Sequence, residues 1–318
     1  MINHAVIPEG IARFLYYTRH CASNLLPRAL YKGQRNNILN KALSPTEEAQ
    51  VADRVHYYNR ISAPFTLDET AQPFHYRVTA GKSAYNMDLQ TLMRYFDPDL
   101  RINYRFGDIQ VVPERPTLVK SRPIGGNNEN AMLLKLNSIR HFTFVRDPIP
   151  FDAKKNQLVW RGRATQPRRK AFLEQFYHHP LCDVGHYHPR HNDCPLTKKK
   201  LSIAGQLRYK FVLAIEGNDV ASNLKWIMSS NSLCFMARPR FETWFMEGRL
   251  QAGVHYVELR DDYADLPEKV EFFIHHPGKA KEIIRNANAW VEPFRNAKWE
   301  QMIGLRVLMK YFHDSGQM

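Results

Sequence analysis

Residues 209–235 read YKFVLAIEGNDVASNLKWIMSSNSLCF, an apolar run, a small polar turn, a stretch of helical spacing and a second apolar run in unbroken order. Phe211 to Ile215 is a continuous apolar block bounded by Glu216-Gly217-Asn218, the pattern of a parallel strand covered on both faces. Asp219 or Ser222 can cap the helix that follows, Leu224, Ile227 and Met228 recur at helical spacing, and Asn231-Ser232 ends it before a strand at Leu233 to Met236. Such a turn stands where open α/β sheets bind ligands, and a helix start there favours an anion. An ordinary βαβ unit without a ligand fits the same pattern, since the spaced glycines of the dinucleotide and P-loop fingerprints are missing.

Working outward, strands are expected near 157–161, 182–185, 211–215, 233–236 and 255–259, alternating with helices near 167–177, 197–206, 221–230 and 264–275. That alternation predicts an α/β fold with a parallel sheet. Upstream, Ser44-Pro45-Thr46-Glu47 is a helix start, Asn86 to Phe96 reads as a helix stopped by Asp97-Pro98, and Arg101 to Phe106 and Thr117 to Lys120 read as short strands. Residues 11–35 mix Ile11, Phe14, Leu15 and Leu30 with arginines and lysines. They are read as a packed helix with solvated cations, because Pro27 interrupts the amphipathic pattern; the rival is a basic surface for lipid headgroups. The polar stretch 146–156 marks a boundary between domains at 1–150 and 151–295, with helices at 278–291 and 296–313 split at Pro293.

The 318 residues carry 45 lysines and arginines against 31 acidic residues, a net charge of +14 that calls for polyanionic surroundings. Nucleic acid is disfavoured as partner, because the basic residues are dispersed and 198–200 is the only dense run. Four scattered cysteines make no disulfide framework, no secretory signal is visible, and no apolar run reaches membrane-spanning length. Cys182, His186, His188, His191 and Cys194 invite zinc, but their spacing matches no common module and no metal is assigned.

Trp160-Arg161-Gly162-Arg163 ends a strand with two planar phosphate donors around a glycine that lets backbone approach a ligand. The combination of WRGRAT at 160–165, YKFVLAIEGNDVASNLK at 209–225, SNSLCF at 230–235 and GVHYVEL at 253–259 resembles glycosyltransferase family 90, over about residues 80–295. The resemblance implies a GT-B architecture, two Rossmann-like domains facing across a cleft. It also implies inverting, metal-independent transfer from a UDP-sugar, with no cofactor. The last helix is long enough to fold back, and residues 296–318 are expected to pack on the first domain.

By that resemblance Arg161, Gly162 and Arg163 form the arginine-glycine turn, and Gly217 and Asn218 the glycine-asparagine turn. Glu216, Ser222, Asn223 and Lys225 complete the expected donor site, and Glu242 is assigned to the donor sugar. Eukaryotic members have arginine where this chain has Asn223, so diphosphate neutralisation shifts toward Arg163, Lys225 or a base such as Lys120 or Arg122. The family's catalytic aspartate maps onto Asp108 in Arg105-Phe106-Gly107-Asp108-Ile109-Gln110, where a glycine is inserted and a proline is lost. Asp108 as the cap of a turn after Gly107 is the plainer role, and the altered motif leaves room for an inactive member. A bacterial saccharide acceptor of the lipopolysaccharide-core kind, at the inner face of the cytoplasmic membrane and in contact with anionic lipid, accounts for the positive charge.

Overall fold

The computed structural model describes residues 9–24, 27–75, 82–188 and 194–318. They fall into two units that interleave along the chain. A sheet unit takes in His141–Arg240 and Glu247–Glu292; a helix-rich unit takes in Pro8–Arg140, Phe241–Met246 and Pro293–Met318.

The sheet unit is built on five parallel strands, β1 (Lys155–Gly162), β2 (Cys182–His186), β3 (Tyr209–Leu213), β4 (Leu233–Ala237) and β5 (Val257–Leu259). Their spatial order is β5-β4-β3-β1-β2. From β1 the chain moves outward to β2, then returns to the other side of β1 and continues through β3 to β5, so the direction of winding reverses between β1 and β3. Every residue of β3 is buried, as its unbroken apolar run requires in a sheet covered on both faces. Helices α1 (Pro167–Phe176), α2 (Leu224–Met228), α3 (Leu266–His275) and α4 (Pro277–Arg295) alternate with or follow the strands. Leu158, Trp160, Phe172, Phe211 and Phe235 lie at the centre of the core.

Some elements depart from expectation. The helix expected at 197–206 is confined to Ile203–Gln206, because Thr197 bridges to His186 and the Lys198 amide donates to the His186 carbonyl, holding this segment along the edge of β2. Neither Asp219 nor Ser222 caps α2; Asn223 holds that position and its side-chain amide donates instead to the Leu213 carbonyl at 2.9 Å. Pro293 does not split the C-terminal helices. α4 runs through it to Arg295, and the break falls at Asn296, whose side chain accepts from the Trp299 amide and starts Ala297–Asp314.

In the helix-rich unit three short parallel strands, Tyr104–Arg105, Thr117–Val119 and Ala131–Leu133, form one sheet. Phe241–Met246, expected in the second domain, belongs here because Phe241–Thr243 pairs antiparallel with Ser121–Pro123. The helix Pro45–Tyr58 opens on the capping box read from the sequence, with Ser44 and Glu47 exchanging bonds. The helix Ala297–Asp314 is tied to its surroundings by Glu300, which accepts from Arg54, Lys135 and the Trp244 indole. Trp244 in turn stacks on Tyr58 at 3.8 Å.

Gly162 ends β1 for an internal reason. A Cβ there would stand 2.6 Å from Cζ2 of the Trp160 indole, which is itself buried in the core. Gly162→Ala should therefore destabilise by about 1–3 kcal/mol through overpacking. Urea titration reads this as a lowered midpoint at unchanged slope.

Candidate functional site

The reversal of winding leaves the turn after β1, residues 163–166, beside the turn after β3, residues 214–219. Crevices at such a switch point are where open α/β sheets bind ligands. What fixes the two turns here is Arg169, in the first turn of α1. Its guanidinium donates to the carbonyls of Ile215 at 2.8 Å, Glu216 at 3.2 Å and Arg163 at 3.1 Å, and lies over the Trp160 ring. A Cβ on Gly217 would come within 3.2 Å of Nη2 of Arg169, so the glycine of this turn makes room for that guanidinium. Arg169 was absent from the sequence expectation, because nothing in Pro167-Arg168-Arg169-Lys170 marks which cation turns inward.

The expected donor residues divide into those that brace the site and those that face solvent. Arg161 spends its guanidinium on the Asp183 carboxylate at 2.7 Å and on the carbonyls of Trp160, Asp183 and Lys199. It therefore ties β1 to β2. Glu216 accepts from the backbone amide of Arg240 at 3.0 Å and from its Nε at 3.2 Å, linking the β3 turn to the exit of β4. The exposed Asn218 accepts from Gln166 at 3.3 Å, joining the two turns a second time. Ser222 is partly buried in the segment leading to Asn223.

Lys225, expected on the diphosphate, is fully buried and paired with the equally buried Glu247. Its charge is consumed inside the sheet unit, and losing one partner of such a pair typically costs about 3–5 kcal/mol. Arg163 behaves differently: it is exposed, and among the described residues no hydrogen bond or ion pair engages its guanidinium. The sequence expectation missed its counterpart Arg238, exposed at the end of β4 and likewise without an ion pair among the described residues. The signal was available in Ala237-Arg238-Pro239-Arg240, which repeats the logic of Arg161-Gly162-Arg163: arginines at the carboxyl end of a buried strand.

In the helix-rich unit, Glu242 and Arg122 are buried against each other at 2.7 Å, with Tyr57 donating to the same carboxylate and Arg60 nearby at 3.6 Å. Arg122 also donates to the carbonyls of Tyr57 and Ala131. Both residues thus hold Phe241–Thr243 in place. Asp108 follows Gly107, whose φ of 118° suits only glycine, and its exposed carboxylate accepts from Lys120 at 2.8 Å. Lys120 is 1% exposed, so its ammonium reaches Asp108 from the interior. The loop bearing Asp108 leaves and rejoins the rim of a groove of about 790 Å³, at Arg105 and Val111, with Tyr104, His75 and Arg115 also on its wall.

Cys182 lies buried in β2, where burial pushes its thiol up to about 12, and His186 accepts the Ala164 amide. His191 lies outside the described residues. Among the described residues no three His, Cys, Asp or Glu side chains form a metal-holding group, and no helix is long and apolar enough to cross a membrane.

The family model for glycosyl transferase family 90 matches residues 137–303. The O-glucosyltransferase LpsA of Dichelobacter nodosus is 50% identical over 299 residues, covering 93% of this chain and 94% of that protein. Protein O-glucosyltransferase 2 of Danio rerio is 26% identical over 140 residues, 42% of this chain and 28% of that one. The chain belongs to glycosyltransferase family 90.

Burial pushes the Asp183 carboxyl up, but hydrogen bonds from Tyr209, Arg161 and Lys198 outweigh it and hold the group down at about 2. A depressed carboxylate stabilises the fold above its unfolded value near 3.8 and loses that contribution as pH falls toward 2. The stability difference between the parent and Asp183→Asn should be full above about pH 4 and vanish between pH 4 and 2. Denaturant titrations across that range measure it.

Proposed function

We propose that this chain transfers a sugar, glucose on the strength of its relatives' names, from a UDP-linked donor to a hydroxyl of a saccharide acceptor. The acceptor class that suits it is a lipopolysaccharide core or related surface glycolipid at the cytoplasmic face of an anionic membrane. The reaction is read as inverting and independent of bound metal, and the fold as GT-B. One observation carries the donor side. Arg163 and Arg238 stand exposed at the ends of β1 and β4, on either side of β3, with the turns around them fixed by Arg169 and Glu216.

Strands two places apart are separated by about 10 Å, a span two arginine side chains can close around a diphosphate. Planar guanidiniums offer charge-assisted, paired hydrogen bonds to phosphate oxygens. α2 has only five residues, so its amides add little, and the grip rests on the arginines.

On the acceptor side, Asp108 is assigned the role of base. As a salt-bridged carboxylate it stands in the form that takes a proton. The acceptor oxygen bonds to the anomeric carbon as its proton passes to Asp108, and the bond from that carbon to the phosphate oxygen breaks from the opposite face. UDP leaves with the bonding pair; the arginines stabilise the charge that develops there, so the leaving group needs no acid. Tyr104 lines the groove beside the Asp108 loop, where an aromatic side chain suits a sugar.

Arg163→Ala should weaken UDP binding by about 1.5–3 kcal/mol, the worth of a charge-assisted hydrogen bond. Calorimetry with UDP checks this, and unaltered affinity would remove Arg163 from the site. Asp108→Asn should bind UDP as the parent does and transfer no sugar. Product formation followed with a chelator present throughout tests both assignments, since activity in the variant moves the base elsewhere and silence in the parent contradicts metal independence.

A further inference from the structure

The helix Glu9–Asn24 is oriented against the usual rule for amphipathic helices. Its inward face is polar: Tyr16 donates to the Asp88 carboxylate at 2.7 Å and to the Ala84 carbonyl at 3.1 Å, Tyr17 meets Ser83, and His20 meets Thr91. Asp88 is itself held by the amide and hydroxyl of Ser138. The helix is therefore pinned by hydrogen bonds, with its apolar stripe turned away. Ile11, Phe14 and Leu15 are 53%, 67% and 54% exposed, and Thr18 and Ala22 continue the same line at helical spacing. In the next helix, Arg28–Leu39, Leu30 is 54% exposed. Arg13, Arg19, Arg28, Lys32, Arg35 and Lys41 stand between residues 9 and 41 against a single acidic residue, Glu9.

We propose that this outward stripe is a docking surface for the interfacial layer of an anionic lipid bilayer. Apolar side chains on a helix lying in the headgroup region bury into the acyl boundary, while surrounding cations meet lipid phosphates. The charge decides the occupant. A second copy of this chain would bring an equally basic surface against the first, and so narrow a stripe offers far less than the roughly 1,200 Å² buried by stable protein interfaces. The helix is packed and its Arg13 and Arg19 are exposed, as expected, but the polar side is the packed one and the apolar side is open. The proposal rests on the membrane-side acceptor reading for its purpose and on the exposed stripe for its geometry.

Flotation of the full chain with vesicles of phosphatidylcholine and phosphatidylglycerol, roughly 70:30, tests it. The parent should bind these vesicles, release with salt, and ignore pure phosphatidylcholine. Phe14→Glu combined with Leu15→Glu should weaken partition by at least about tenfold, with transfer to a soluble saccharide acceptor unchanged. A second measurement is independent of that variant's folding. An environment-sensitive dye on the exposed Cys21, in a Cys194→Ser background, should shift to the blue on adding the anionic vesicles. The proposal is overturned if the double variant floats like the parent, if the dye does not respond, or if light scattering shows a dimer that the double variant breaks. Vesicle binding without any UDP binding would instead sink the donor reading and leave this surface standing.

Discussion

One guanidinium organises the candidate site. Arg169 satisfies three backbone carbonyls that the ends of β1 and β3 would otherwise leave unpaired, and it does so from the first turn of the helix that follows β1. Each bond is charge-assisted, and the three share a single rigid plane, so neither turn shifts without straining the other. The neighbouring glycines follow from the same constraint. Gly217 is small because the guanidinium occupies its side of the turn, and Gly162 is small because the Trp160 ring does. Both are explained by the protein's own interior before any ligand is invoked.

The positive charge sorts into two populations. Lys225, Arg122, Arg54 and Lys154 are buried and matched by Glu247, Glu242, Glu300 and Asp147 respectively. All but Lys154–Asp147, seven residues apart, join separate segments of the chain, and desolvation makes each pair intolerant of losing one partner. Arg163 and Arg238, by contrast, remain at the carboxyl edge of the sheet with their charge facing water. Composition alone gives a surplus of cations; only the fold separates the cations that brace from those that offer themselves to an anion.

Much of the sheet unit was legible because its strands carry short apolar runs and its turns are crowded with glycine, asparagine and proline. All five strands fall within about two residues of where the pattern placed them, apart from a few extra residues at the ends. The capping box at Ser44 was equally plain, being local. What sequence could not show is partnership at a distance. Glu242 pairs with a residue 120 positions earlier and Lys225 with one 22 positions later, and neither partnership leaves a local signature. The N-terminal helix misled for the opposite reason, since amphipathic spacing says that two faces differ and is silent on which one turns inward.

The interleaving of the two units bears on how this polypeptide is made. The helix-rich unit starts earlier along the chain than the sheet unit, yet it lacks the strand at Phe241–Thr243 and the helix Ala297–Asp314 until the intervening sheet unit has been made. The sheet unit, complete once Glu292 is out, has all its strands first. Vectorial synthesis ordinarily favours the leading domain; here the later-encoded half can finish folding while the earlier one waits with Trp244 and Glu300 still to be placed. Any scheme to express the halves from separate genes would have to rejoin three stretches of chain for one of them.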